Sequence, residues 1–363
     1  MRVTAIVVAW NAAEDLPGCL AALQAQDHPD LEVVVVDNAS HDTTPEVIRS
    51  AVEVGGAGGG ADLDGVVEHP VRAVWNTTNR GFCGGVNDAL ATIADDVGAV
   101  LLVNPDAVAA PDLLRRLVQV LSARPAIGTV QPRVLRRVGP GAPVTIDSTG
   151  HVLTSARLVS NRGEGEPDDG RYPAGEVFGA SGALVLHRRA MLDDVAWRNG
   201  SHPDGTPRLE YLTEDLFAYF DDVELDWRAR LHGWRAWYEP TAVGVHERGG
   251  AGPRRTTRVQ ALNHTNRLLV LITCDDVRSL SRSAPAVVVT SLLKTLELAL
   301  TVPSALPEAF GRLRLVPAAW RRRRALAARD RTVAFGEVTA RWVEPFRWRP
   351  WIAAWWLRTR GGA

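Results

Sequence analysis

The first 135 residues of this 363-residue chain alternate two signals. Short β-branched runs occur at Val3–Val8, Leu31–Val36, Val71–Trp75, Ala99–Val103 and Ile127–Val130. Between them apolar residues recur at helical spacing. Leu16, Leu20 and Leu23 precede the second run, Ala89, Leu90 and Ile93 the fourth, and Leu113, Leu114, Leu117, Val118 and Leu121 the fifth. A strand that is apolar on both faces must be covered on both, so this order predicts a mostly parallel α/β sheet flanked by helices. Ligands of such sheets bind beyond the carboxyl ends of the strands, which makes the residues after each run the first candidates for chemistry.

From about residue 140 to 173 the pattern breaks into Gly, Pro, Asp and Ser with short strands, as in loops over a cleft. A helix is predicted from near Asp222 to His232, closed by Gly233, where a left-handed residue costs least. Two more follow, roughly Thr257–Thr273 and Ala286–Thr301. On the second, Val289, Leu292, Leu293, Leu296 and Leu300 form one stripe, and Thr290, Lys294, Glu297 and Thr301 the opposite one. The tail then carries Arg321–Arg324 and Trp342, Trp348, Trp351, Trp355 and Trp356. Gly55–Gly60 reads as a flexible surface insertion, because it follows no strand directly and lacks a phosphate-loop lysine.

Apolar residues at 46% and charged residues at 23% are the balance of an ordinary globular protein, which excludes a disordered chain. The net charge of −1 hides a segregation. Residues 1–250 hold 21 Arg against 35 acids, a net of −14, whereas residues 251–363 hold 19 Arg and one Lys against 7 acids, a net of +13. Such a tail meets an anionic partner, covers the acidic body, or is simply solvated. Cys19, Cys83 and Cys274 have no metal spacing and leave one unpaired, which argues for a reducing compartment. No signal-peptide pattern precedes Val3, and the best apolar run, Ala284–Leu293, ends at Lys294, short of the roughly 18 residues of a membrane span. The expected location is the cytoplasm.

Four positions carry candidate chemistry. Asp37 follows the second run, where a carboxylate accepts from a nucleobase or ribose, or makes an Asx turn. Asp106, in Asn104-Pro105-Asp106, follows the fourth and suits a hard divalent cation on a diphosphate, or an ordinary turn. Asp221 and Asp222 open a predicted helix, where they cap it or provide a base for an acceptor hydroxyl. His246 follows the apolar stretch Ala242–Val245 as a strand-end ligand, or as a satisfied side chain.

In order and spacing these segments resemble the family 2 glycosyltransferases of the GT-A fold, and most closely the rhamnosyltransferase-like bacterial members. The resemblance rests on Val7-Val8-Ala9-Trp10-Asn11, Val35-Val36-Asp37-Asn38-Ala39-Ser40, Asn79-Arg80-Gly81-Phe82, Asn104-Pro105-Asp106-Ala107, Phe178-Gly179-Ala180-Ser181-Gly182-Ala183, and Asp221-Asp222 through Gly233-Trp234. It covers about residues 3–250. It implies that Ala9, Trp10, Asp37, Asn79, Gly81 and Asn104 hold the nucleotide, and that Asp106 and His246 ligate Mg²⁺ or Mn²⁺. Ser181, Gly182 and Asp221 would line the acceptor side, with Asp222 as general base. Asn104 departs from the family's fuller acidic motif and removes one carboxylate.

The implied organisation is a catalytic domain over 1–250, with a nucleotide half to 135 and an acceptor half beyond, and a helical extension over 251–363. The implied activity is inverting transfer of a sugar from a nucleotide-diphosphate donor, dTDP-rhamnose first and a UDP-sugar such as UDP-galactofuranose second. The acceptor would be a saccharide, carried on a polyprenyl diphosphate. A sugar nucleotidyltransferase or a dinucleotide oxidoreductase would need glycines where Trp10-Asn11-Ala12-Ala13-Glu14 stands. A non-catalytic scaffold would not need Asp37, Asp106, Asp222 and His246 together. The basic, tryptophan-rich tail suits a peripheral seat on an anionic membrane, unless its apolar stripe packs on the catalytic domain. No nucleic-acid motif accompanies the charge, so no nucleic acid is expected as a partner.

Overall fold

The computed structural model describes residues 1–56, 69–136, 144–201, 207–247, 256–329 and 333–360. Its centre is a ten-stranded sheet. Four strands form the predicted parallel part: β1 (Val3–Ala9), β2 (Leu31–Asp37), β3 (Val71–Trp75) and β4 (Ala99–Val103), in the order β4-β1-β2-β3. Every residue of β1 and β4 is buried, which is why the sequence shows no polar alternation there. The pleat sends alternate side chains to opposite faces. Val3, Val7 and Val33 pack with Leu16, Leu20 and Leu23 of α1 (Leu16–Gln24), while Ile6, Val8 and Val34 pack with other helices on the far side. Helix α2 (Thr44–Gly56) follows β2, and α3 (Gly81–Leu90) follows β3. Gly55 and Gly56 thus end a helix, and the rest of the glycine run lies outside the described residues.

Register aligns the strand ends. Ala9 pairs with Asp37 and Val7 with Val103, so the residues after β1, β2 and β4 emerge along one rim.

Downstream come β5 (Ala107–Ala109), α4 (Leu113–Ala123), β6 (Ile127–Arg136), β7 (Thr145–Ser148), β8 (His151–Thr154), β9 (Val159–Asn161), β10 (Gly175–Val177), β11 (Leu184–Arg188), α5 (Arg189–Val195), β12 (Trp197–Ser201), β13 (Pro207–Glu210), α6 (Asp221–Leu231) and β14 (Arg235–His246). Strand β11 inserts antiparallel between β4 and β6, and β14 runs parallel to β6 on its other side. Antiparallel β5, β7 and β10 complete a mixed sheet. The pairing of β5 with β14 sets His246 opposite Ala107, one residue beyond Asp106.

The C-terminal helices are α7 (Thr257–Cys274), α8 (Val277–Thr301), α9 (Ala305–Gly311), α10 (Val316–Ala328), α11 (Phe335–Trp342) and, after the short strand β15 (Val343–Glu344), α12 (Trp348–Thr359). Leu269 and Val270 of α7, Leu326 of α10 and Val338 of α11 share one core with Ile6, Phe178 and Trp227. An ion pair with both side chains fully buried, Arg157 to Asp275 at 2.7 Å, ties the turn after β8 to the end of α7. Removing one partner of such a pair costs about 3–5 kcal/mol. Several tail arginines face the acidic body: Arg322 bridges Glu210 and Asp215, and Arg341 reaches Glu176.

Helix α8 begins before Pro285 and is longer than the spacing indicated. Its orientation corrects the idea that the apolar stripe packs inward. Val288, Val289, Leu292, Leu296 and Leu300 are 44–66% exposed, whereas Thr290 is fully buried. The polar side faces the protein because Thr290, Ser291 and Thr295 return hydroxyl bonds to their own helix, which lowers the cost of burying them.

Candidate active site

The rim above β1 and β2 is tied by short polar links. Asn38, buried after β2, donates to the Asn79 carboxamide oxygen at 3.1 Å and the Gly81 carbonyl at 2.9 Å. It accepts in turn from Asn76 and from the Arg80 amide. Asp37 accepts from the Ser40 amide, three residues on, at 3.2 Å. Ala9 is fully buried at the end of β1, its carbonyl accepting from the Asn38 amide, while Trp10 is 43% exposed on the rim. Asn79 also caps Gly81, whose φ of +72° requires glycine. A Cβ there would stand 2.3 Å from the Phe217 carbonyl oxygen.

At the end of β4 the Asn104 amide donates to the Ala183 carbonyl at 2.8 Å. The same 180–183 loop reaches the start of α6. The Gly182 amide donates to Asp222 Oδ2 at 3.0 Å, the Ala180 amide to Asp226 at 2.7 Å, and the Ser181 amide to buried Gln131 at 2.7 Å. One loop therefore joins the Asn104–Asp106 turn to Asp222. Two residues past Asn104, Asp106 lies 3.1 Å from His246 Nε2.

Asp221 and Asp222 diverge. The Asp222 side chain is 25% exposed, whereas Asp221 is buried. Burial and the neighbouring Asp222 push Asp221 up to about 8. Burial alone would raise Asp222 too, but His151 beside it and the Gly182 amide hold it below the usual carboxylate range.

Two residues that sequence reasoning did not single out complete the geometry. His151 is buried between carboxylates, 3.5 Å from Asp222 and 3.4 Å from Asp226. Burial opposes its charge, but Asp222 and Asp226 outweigh it and raise His151 to about 10. Asp147, also buried, accepts from His246 Nδ1 at 3.0 Å. The two acidic partners, Asp147 and Asp106, take His246 to about 9 against its burial. Asn266 of α7 is a third such residue. Its amide donates to the carbonyls of Leu216, Ala218 and Tyr219. That holds Phe217, Tyr219 and Phe220, all at positive φ, just before α6, the kind of backbone strain that persists only where neighbours impose it.

Asp106 and His246 fit a divalent cation. They are a hard oxygen and an imidazole at one point, with the second ring nitrogen oriented by Asp147 as metal-binding histidines require. Carboxylates crowd there: burial, then Asp106, Glu14 and Glu247, raise Asp15. No cluster of three or more potential ligands occurs among the described residues, so such a cation would complete its shell from phosphate oxygens.

Residues 4–195 match the profile of Glycosyl transferase family 2. The chain is 24% identical over 285 residues to the N-acetylglucosaminyl-diphospho-decaprenol L-rhamnosyltransferase of Mycobacterium tuberculosis, covering 73% of this chain and 82% of that protein. It is 20% identical over 241 residues to the poly-beta-1,6-N-acetyl-D-glucosamine synthase of Staphylococcus epidermidis, covering 66% and 48%. Its fold is similar to GalNAc-T7 solved with UDP, GalNAc and Mn²⁺, with a TM-score of 0.60 and 11% identity over 94% of this chain and 56% of that one. It is also similar to S. aureus TarS 1-349 with UDP-GlcNAc, with a TM-score of 0.52 and 16% identity over 90% and 84%. With a family profile spanning more than half its length and a GT-A sheet beneath it, this chain belongs to glycosyl transferase family 2 and is a glycosyltransferase.

Proposed function

We propose that this glycosyltransferase inverts: it moves rhamnose from dTDP-rhamnose to a hydroxyl of a saccharide carried on a polyprenyl diphosphate, in building cell-wall or surface polysaccharide. The single observation that supports the mechanism is the 180–183 loop, which bonds both Asp222 and Asn104, two residues before Asp106 and its partner His246. The rhamnosyl group and the lipid-linked acceptor follow the name of the rhamnosyltransferase relative, which specifies a diphospho-decaprenol acceptor, and dTDP as the donor nucleotide follows the family resemblance.

In this reading Ala9, Trp10, Asp37, Asn79, Gly81 and Asn104 hold the nucleotide along the strand-end rim. Asp106 and His246 would hold Mg²⁺ or Mn²⁺, which would supply positive charge to neutralise the departing diphosphate. Asp222 takes the proton of the acceptor hydroxyl as that oxygen attacks the anomeric carbon from the side opposite the diphosphate. The carbon–oxygen bond to the diphosphate breaks and the configuration inverts. Ser181 and Gly182 line the acceptor side. Asp221, more deeply buried than Asp222, stands beside it on that side. Residues 1–250 would form the catalytic domain and 251–363 an extension that seats the enzyme peripherally on the cytoplasmic face of an anionic membrane.

A UDP-sugar is the second reading, supported by the similar fold of the UDP-GlcNAc-bound structure. A donor panel decides between them, scoring Mn²⁺-dependent nucleotide release with and without a polyprenyl-diphosphate saccharide. Acceptor-stimulated release from dTDP-rhamnose supports the first reading, and release confined to a UDP-sugar replaces it. Release from no donor at any metal concentration would overturn both.

A further inference from the structure

Helix α8 is built inside out for a water-facing helix. Val288, Leu292, Leu296 and Leu300 recur every fourth residue on one exposed line, with Val289 beside them, while Thr290 and Leu298 face the protein. Helix α12 lies against it. The Trp355 indole donates to the Leu293 carbonyl at 3.0 Å and Arg358 pairs with Glu297 at 2.6 Å. This leaves Ile352, Trp356 and Leu357 of α12 exposed as well. An apolar surface of this extent on a soluble protein marks a binding face.

The charge around that face is one-sided. Helix α8 holds Arg278, Arg282 and Lys294 against a single acid, Glu297, and α12 holds Arg349 and Arg358 with no acid. Behind α8, Arg267 of α7 is buried, donates to Ser291, and leaves Nη1 without an acceptor. No carboxylate among the described residues pairs with it. Burial alone takes Arg267 down to about 10. Burial, with the charges of Arg267 and Lys294, takes the neighbouring His264 down to about 4. Cations outnumber acids in the cluster, Glu297 being the one acid on α8 and α12.

We infer that the outer face of α8, with the exposed edge of α12, is seated in the headgroup layer of an anionic phospholipid leaflet, the stripe reaching the acyl boundary and the flanking cations meeting lipid phosphates. A helix about 10 Å across whose apolar face sinks some 5–10 Å places residues on its opposite side at phosphate level, and tryptophan favours the same depth. A second copy of the chain is disfavoured as occupant, because a two-fold contact would set this cationic rim against itself. The helix lies on the leaflet and does not cross it. It is long and apolar enough to span, with a mean hydropathy of 1.4 over its best window, but Arg157 bonds Ser279 and Ser283 and anchors its first turns to the body.

The test is flotation of the full chain with phosphatidylcholine vesicles, with and without about one third phosphatidylglycerol. It reads no catalysis, so it stands or falls apart from the sugar-transfer reading. Wild type should float with the anionic vesicles and several-fold less with the neutral ones. Leu292→Glu with Leu296→Glu, both already exposed, should cut binding by at least about tenfold with an unchanged thermal melt. Arg278→Gln with Arg282→Gln should weaken anionic binding and flatten its salt dependence. The proposal is overturned if wild type stays soluble at low salt, or if the leucine variant floats like wild type. It is equally overturned if wild type is a stable dimer that the leucine variant dissociates.

Discussion

Asp147 and His151 flank one tight turn yet meet different candidate residues: Asp147 accepts from His246 at 3.0 Å, and His151 stands 3.5 Å from Asp222. The turn between them, closed by Ser148 and by Gly150 at φ +123°, packs on the 179–183 loop through the His151 amide and the Gly179 carbonyl. One turn thus supports both the imidazole proposed for the cation and the carboxylate proposed for the acceptor.

The two neighbouring acids should behave differently. Asp222→Asn is expected to lower steady-state transfer by about 10²–10⁴, the usual worth of a positioned base. Asp221→Asn should stay within a few-fold of wild type, because that side chain is buried and, raised to about 8, already neutral near pH 7. Rates for the two variants, with thermal melts to confirm folding, decide the assignment. Equal losses would mean that the base is misplaced.

His151→Gln should move the acid limb of the pH–rate profile upward. The groups facing Asp222 are His151 from the start of β8, Asp221 and Asp226 from its own helix and His187 from β11. Only the first is a strong cation near neutrality, His187 being held down to about 4 by burial. Without it Asp222 is no longer held low and is protonated at higher pH. Stability has its own sign. A histidine raised to about 10 when folded stabilises fully below its ordinary value of about 6.5 and loses that contribution as pH rises through 10. Wild type should therefore lose stability over this alkaline window, and the variant should lose less. An unmoved acid limb would reduce His151 to a packing residue.

Asp147→Asn should weaken activation by Mn²⁺ about 10–100-fold, with most of the rate recovered at high metal, as for other residues that orient a ligand. Asp106→Ala should not be recoverable. Titration of activity against Mn²⁺ separates the two, and identical metal curves for wild type and the Asp147 variant would remove that residue from the metal site.

Gly81→Ala should cost about 3 kcal/mol, summing a left-handed backbone and an overlap with Phe217. Equilibrium denaturation measures it. A loss below 1 kcal/mol would show that the loop before α6 relaxes freely, contrary to its anchoring by Asn266.

What the sequence made legible follows from where each residue stands. Asp37 directly follows Val33–Val36 and Asn104 directly follows β4, so strand order alone sends Asp37 and the turn that carries Asp106 to one rim, whereas Asp222 is placed by α6 and the 180–183 loop, which strand order does not fix. Asp147 and His151 sit between residues 140 and 173, where no periodicity marks a position, and Asp147 meets a partner 99 residues away. Asn38 and Asn266 act by bonding backbone carbonyls, a role that carries no spacing signal. The two stripes of α8 were equally plain, but amphipathicity does not say which face points inward. Buried hydroxyls satisfied within the helix reversed the usual choice.

The most direct test of a shared cleft is anomalous scattering from crystals grown with Mn²⁺ and dTDP. A manganese peak bonded to Asp106 and His246 and bridging the diphosphate, with the nucleoside along Ala9, Trp10 and Asp37 and Asp222 facing the open side, is the predicted result. A peak on other residues, or a nucleotide bound away from the ends of β1 and β2, would contradict it.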